Sequence, residues 1–182
     1  MSTIGLTRDN DLSVTTTPRQ PRSALITLRN IAIAFSLVAL VVTGYMSYQK
    51  FAGEQLQCTL SGVFNCAVVE NSAWSQVVFT SSIVIPTAFL GFLCHTLLLV
   101  LHLLEKRIGI LRQYNHIFIF GITLFAFMYH CYLTFVIAIG TLRALCQYCL
   151  IAHFIMTMLL IIASIRLLRT LKADSQNAVL PA

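Results

Sequence analysis

The sequence predicts an all-α integral membrane protein, a four-transmembrane-helix bundle with both termini cytoplasmic. Three observations predict it. Only 10% of the 182 residues are charged and 58% are hydrophobic, whereas a soluble domain carries about 25% charged residues to cover its surface. Four apolar runs each reach the ~20 residues that a helix needs to cross a ~30 Å hydrocarbon layer. The Lys and Arg residues gather at the ends of those runs rather than along one face. That distribution argues against nucleic acid as a partner despite the net charge of +6.

In chain order, residues 1–29 hold Thr15, Thr16, Thr17, Pro18 and Pro21 without apolar periodicity, and read as a disordered cytoplasmic tail. They are not a cleavable signal peptide, because the apolar run behind them is too long and starts too late. A membrane domain over 30–170 follows, with helices at about 30–51, 83–104, 115–140 and 146–168, then a second cytoplasmic tail over 171–182. In lipid only helices and closed barrels satisfy the backbone, and these runs do not alternate as barrel strands do. The chain has no internal repeat and no glycine-rich phosphate loop.

The charges orient the bundle. All of the 12 Lys and Arg residues except Lys50 and Arg143 fall in the N-terminal tail, the link between helices two and three, or the C-terminal end. Positively charged flanks stay cytoplasmic. The long first loop, about 52–82, and the short third loop, about 140–145, therefore face outward from the cell (inner) membrane.

Four of the six cysteines lie on that outward side. Cys58 and Cys66 flank "TLSGVFN" in the first loop, and Cys146 and Cys149 open the fourth helix as "CQYC". The outward compartment is the oxidising one, where disulfides persist. Two cysteines three apart at a helix start share a face and form an exchangeable disulfide. The partial positive charge of the helix N-terminus stabilises a thiolate, the attacking species in exchange, and Arg143 just upstream is expected to strengthen that field. Zinc would want four compact ligands, which the Cys58–Cys66 spacing does not offer, so no metal is expected. The loop pair by itself fits a mobile shuttle or a static bridge equally. Cys94 and Cys131, inside helices, read as small hydrophobes.

With its "CTLSGVFNC" loop pair, the Ser and Trp of "ENSAW", and "YLTFVIAIGTLRALCQYC" leading into the last helix, the chain resembles the vitamin K epoxide reductase family over about 30–170. The resemblance implies a relay: partner dithiol, then Cys58/Cys66, then Cys146/Cys149, then a membrane quinone, either ubiquinone or menaquinone. Cys66 would exchange with Cys146, and Cys149 would lie nearest the ring. Ser72 and Trp74 would cap the ring. His153, one turn beyond Cys149, stands where some members carry a Tyr that hydrogen-bonds a quinone carbonyl; Thr80 matches a second polar contact. Many bacterial members carry a fused thioredoxin-like domain; without one here, the implied partner is a separate extracytoplasmic thioredoxin-fold protein. The implied physiological reaction is disulfide formation rather than epoxide reduction.

Two alternatives stand beside this reading. A DsbB-type quinone reductase also has four helices and two cysteine pairs, but keeps its CxxC in the first loop, the reverse of the order here. A haem or metal-binding electron carrier would use His95, His102, His116, His130 and His153, and would need facing pairs of intramembrane histidines.

Overall fold

The computed structural model describes residues 22–60, 62–80, 83–105 and 109–179. Most of the expected N-terminal tail, residues 1–21, lies outside them. The described elements are α1 (Arg22–Ala52), α2 (Cys66–Glu70), a 3₁₀ turn (Ala73–Ser75), β1 (Gln76–Thr80), β2 (Ile83–Pro86), α3 (Thr87–Leu104), α4 (Gly109–Cys131), a π-helix (Tyr132–Leu142) and α5 (Gln147–Val179). Among the described residues, 4 helices are long and apolar enough to cross a membrane: α1, α3, α4 continued by the π-helix, and α5.

Small residues let the helices approach closely. Along α1, Ala32, Ser36, Ala39, Thr43 and Ser47 form a buried stripe. Thr43 and Ser47 turn their hydroxyls back onto the carbonyls of Ala39 and Thr43, both at 2.7 Å, so no polar group of theirs faces a neighbour unpaired. Ala32 and Ala39 of this stripe share one buried core with Leu98 of α3, Ile119 of α4, and Ile155, Met156, Leu159 and Ala163 of α5. The opposite faces are apolar too: Val41 is 73% and Phe125 78% exposed. A chain with apolar residues both inside and outside is solvated by lipid.

Two stretches differ from expectation. Ile83–Pro86, expected to begin the second transmembrane helix, forms a strand antiparallel to β1, with Gln76 opposite Pro86 and Val78 opposite Val84. Pro86 explains it. Its ring pushes the preceding residue out of the helical region, and it lacks the N–H a helix interior needs. Pro86 sits in extended geometry directly before Thr87, so the helix starts there. In the third span, α-helical winding gives way at Tyr132 to i→i+5 bonding, which runs to Leu142 and is closed by the Arg143 N–H on the Ala138 carbonyl. The helices also overrun their expected ends: α1 opens at Arg22 rather than near Asn30, and α5 continues to Val179.

At the end of the bundle away from the cysteines, Arg166 of α5 is buried and pairs with Glu105 at 2.5 Å. His116 of α4 approaches the same carboxylate at 3.8 Å. A buried charge needs such a partner.

Candidate active site

The site is built where the first loop folds back onto the turn before α5. Arg143 adopts a left-handed conformation, φ 49°, which ends the π-helix and reverses the chain. The segment after it then pairs with the loop as a short parallel bridge. The Asn65 N–H donates to the Leu145 carbonyl at 2.9 Å, and the Leu145 N–H to the Val63 carbonyl at 3.0 Å.

The two residues between the CQYC cysteines hold the loop from the other side. Gln147 Oε1 accepts three hydrogen bonds, from the Thr59 N–H (3.1 Å), the Thr59 hydroxyl (2.9 Å) and the Leu60 N–H (3.1 Å). The Tyr148 hydroxyl donates to the Gln57 carbonyl at 3.4 Å. Cys58, lying between Gln57 and Thr59, is thereby fixed on both flanks.

This arrangement brings all four outer cysteines into one cluster. Cys66 and Cys146 are buried together with Leu56, and Cys58 and Cys149 pack against that core. Cys58 and Cys66 form a disulfide with Cα atoms 5.4 Å apart, whereas Cys146 and Cys149 are free thiols.

Cys146 directly precedes α5, in the position of a helix cap. Its sulfur accepts the Cys149 N–H at 3.4 Å, as a cap oxygen would. The Cys149 thiol and the backbone N–H groups of Cys149 and Tyr148 hold the Cys146 thiol below its ordinary pKa; burial and the Glu70 carboxylate push the other way and do not prevail. Arg143 is not among the groups acting on it. The helix start therefore stabilises a thiolate through the Cys149 thiol and its first backbone N–H groups.

Beside Cys146 and Cys149 lies a cavity of about 430 Å³, a size that suits a small ring ligand. Ser72 and Trp74 line it, as do His95, Tyr129 and His130 from the helices. The lining is otherwise mostly apolar. Cys94 also lies on its wall. Thr80, at the end of β1, is exposed and is not among the lining residues. Nor is His153, whose ring packs against Phe127, His130 and Phe135 with centroids 5.5, 6.0 and 6.1 Å away. Among the described residues, no group of three or more His, Cys, Asp or Glu side chains is placed to hold a metal ion.

Sequence reading passed over Gln147, Glu70 and Tyr129 as site residues, and considered His95 and His130 only as ligands of a haem or metal. Glu70 accepts the Leu56 N–H at 2.9 Å and lines the cavity. For His95 and His130 a signal was present, because an ionisable side chain inside a membrane span is costly and marks function. For Gln147 none was, because its role depends on a loop 87 and 88 residues away in sequence.

Four membrane-crossing helices, a disulfide and a dithiol in one cluster, and an apolar cavity against the dithiol define a multi-pass membrane oxidoreductase. The model of the vitamin K epoxide reductase family matches residues 30–164, and the chain belongs to that family. A comparison with curated proteins finds no match.

Proposed function

We propose that this protein reoxidises an extracytoplasmic thioredoxin-fold partner and passes the electrons to a membrane quinone, ubiquinone or menaquinone, in support of disulfide-bond formation. In this reading both tails, 1–29 and 171–182, are cytoplasmic, the 30–170 domain sits in the cell's inner membrane, and the cysteine cluster faces outward. The observation that carries the proposal is the packing of a formed disulfide, Cys58–Cys66, against a free dithiol, Cys146/Cys149, at the wall of an apolar cavity.

The steps balance in bonds and electrons. A partner thiolate attacks Cys58 and Cys66 leaves; the partner's second thiol then releases Cys58, so the partner is oxidised and the loop pair reduced. The Cys66 thiolate attacks Cys146 of a Cys146–Cys149 disulfide and Cys149 leaves. Cys58 then closes on Cys66 and frees Cys146. The result is the state seen here, loop oxidised and helix pair reduced. A quinone accepts two electrons and two protons, which is what two thiols release on closing their disulfide. The residues fit such a ring: the cavity wall is mostly apolar, Ser72 and Trp74 line it from the segment between α2 and β1, and the two thiols border it. His153 and Thr80 are the further ring contacts in this reading; both would have to turn toward the cavity to make them.

Anaerobic mixing of the purified protein with a reduced thioredoxin-fold oxidase and a short-chain ubiquinone or menaquinone tests it. Loss of quinone absorbance is expected in proportion to partner thiols consumed, and absent in Cys146→Ala. Equal bleaching in Cys146→Ala would overturn the relay.

A further inference from the structure

Among the described residues, two that line the cavity carry a buried polar atom without a partner: Glu70 Oε1 in the outer loop, and His95 Nε2 within a membrane-spanning helix. His95 of α3 is 0% exposed and lines the cavity. Its Nδ1 lies 2.8 Å from the Gly91 carbonyl one turn back on the same helix. A carbonyl only accepts, so Nδ1 carries the hydrogen and, in the neutral ring, Nε2 is a bare acceptor. That Nε2 is buried and has no partner. The ring is tied to its own helix through Nδ1, which leaves Nε2 as the edge turned away from that backbone. Tyr129 and His130 line the same cavity, yet neither donates to it. A buried acceptor without a donor costs about 1–3 kcal/mol, so a ligand that supplies the donor is favoured there.

The two redox forms of a quinone differ in just this property. The oxidised ring offers carbonyl oxygens, which only accept and would oppose the Nε2 lone pair. The reduced ring offers hydroxyls, which donate. We infer that His95 Nε2 is the acceptor for a hydroxyl of the reduced ring, so that the cavity holds a hydroquinone more tightly than the matching quinone. This rests on the quinone reading above. His95 is then a residue that discriminates product from substrate: it favours transfer of electrons into the ring and slows departure of the reduced form.

The protein contains 1 Trp, and Trp74 lines the cavity, so its fluorescence reports occupancy without turnover. The full chain with Cys146 and Cys149 both changed to Ser passes no electrons and serves as parent. Duroquinone affinity is read from quenching of Trp74, and durohydroquinone affinity from its displacement of duroquinone under argon. The parent is expected to prefer the hydroquinone. His95→Phe should weaken the hydroquinone about tenfold, the order expected for one neutral hydrogen bond, and change the quinone less than about threefold. His95→Gln, which keeps an acceptor oxygen, should retain most of the preference and covers the case in which His95→Phe does not fold. Equal losses for both ring forms in His95→Phe, or an unchanged preference, would overturn the assignment of His95 alone. No quenching in the parent would overturn the quinone reading itself.

Discussion

The two cysteine pairs are held by different means. Cys146 and Cys149 belong to the start of a 33-residue helix whose own N–H groups define their geometry. Cys58 and Cys66 span a loop with almost no regular structure until Cys66 opens the 5-residue α2. That loop is fixed by borrowed contacts: the Leu145 bridge, Gln147 and Tyr148. A rigid pair beside a cavity suits exchange with a stationary ring. A pair held by a few hydrogen bonds can be released and regained, because each such bond contributes only about 0.5–1.5 kcal/mol. Fixed and releasable sulfurs are what a relay between a membrane ring and a water-borne protein requires.

Substitutions test whether the two pairs are as unlike as this suggests. The largest effect is expected for Cys149→Ala, which removes the rigid pair's second sulfur: quinone reduction should fall about a thousandfold or more. Non-reducing digests analysed by mass spectrometry should then contain Cys146 as a free thiol beside an intact Cys58–Cys66 disulfide, since no disulfide remains at the helix start for Cys66 to attack. Near-normal turnover would erase the distinction.

Cys58→Ala addresses the other pair. Turnover driven by a thioredoxin-fold partner should drop about a hundredfold, while quinone reduction driven by a small dithiol stays within about threefold, because that reductant reaches Cys146/Cys149 directly. Equal losses with both reductants would mean the pairs do not act in sequence.

Gln147→Ala removes the acceptor shared by Thr59 and Leu60 and leaves donors unpaired, a cost of about 1–3 kcal/mol to the docked loop. Hydrogen exchange should accelerate about tenfold or more at those two amides and little within α5. Uniform acceleration would show that the loop and helix open together.

The smallest effect concerns pH. The thiolate is the reactive form, and its population grows as pH rises; a depressed pKa moves that growth to lower pH. Iodoacetamide should therefore modify Cys146 with a midpoint below that of an ordinary thiol. Cys149→Ala, which deletes the chief stabilising donor, should move the midpoint upward. A midpoint that stays put would assign the effect to the helix start alone.

The four spans were legible because lipid imposes a length and composition that each apolar run meets. The CQYC pair at a helix start was legible because spacing and helix polarity are local properties. The β1–β2 hairpin was hidden inside an apolar run: Ile83, Val84 and Ile85 suit a buried helix as well as a strand, and Pro86 alone marked the break. The docking of Asn65, Thr59 and Leu60 onto Leu145 and Gln147 left no trace in sequence, since it joins segments far apart in the chain through backbone groups every residue possesses. Polarity drew attention to His153 and Thr80, whereas the histidine with an unpaired atom at the cavity is His95.

The change of winding at Tyr132 has an angular consequence. Ala126, His130, Thr134 and Ala138 recur every fourth residue, and all four border the cavity. In an unbroken α-helix a step of four overshoots a full revolution by about 40°, so three steps would swing Ala138 about 120° from the line of Ala126. Winding with i→i+5 bonds puts more residues into each revolution, so a step of four undershoots instead. Drift gathered before Tyr132 is unwound after it, and one straight seam of small and polar side chains stays turned toward the same space along three turns of the span.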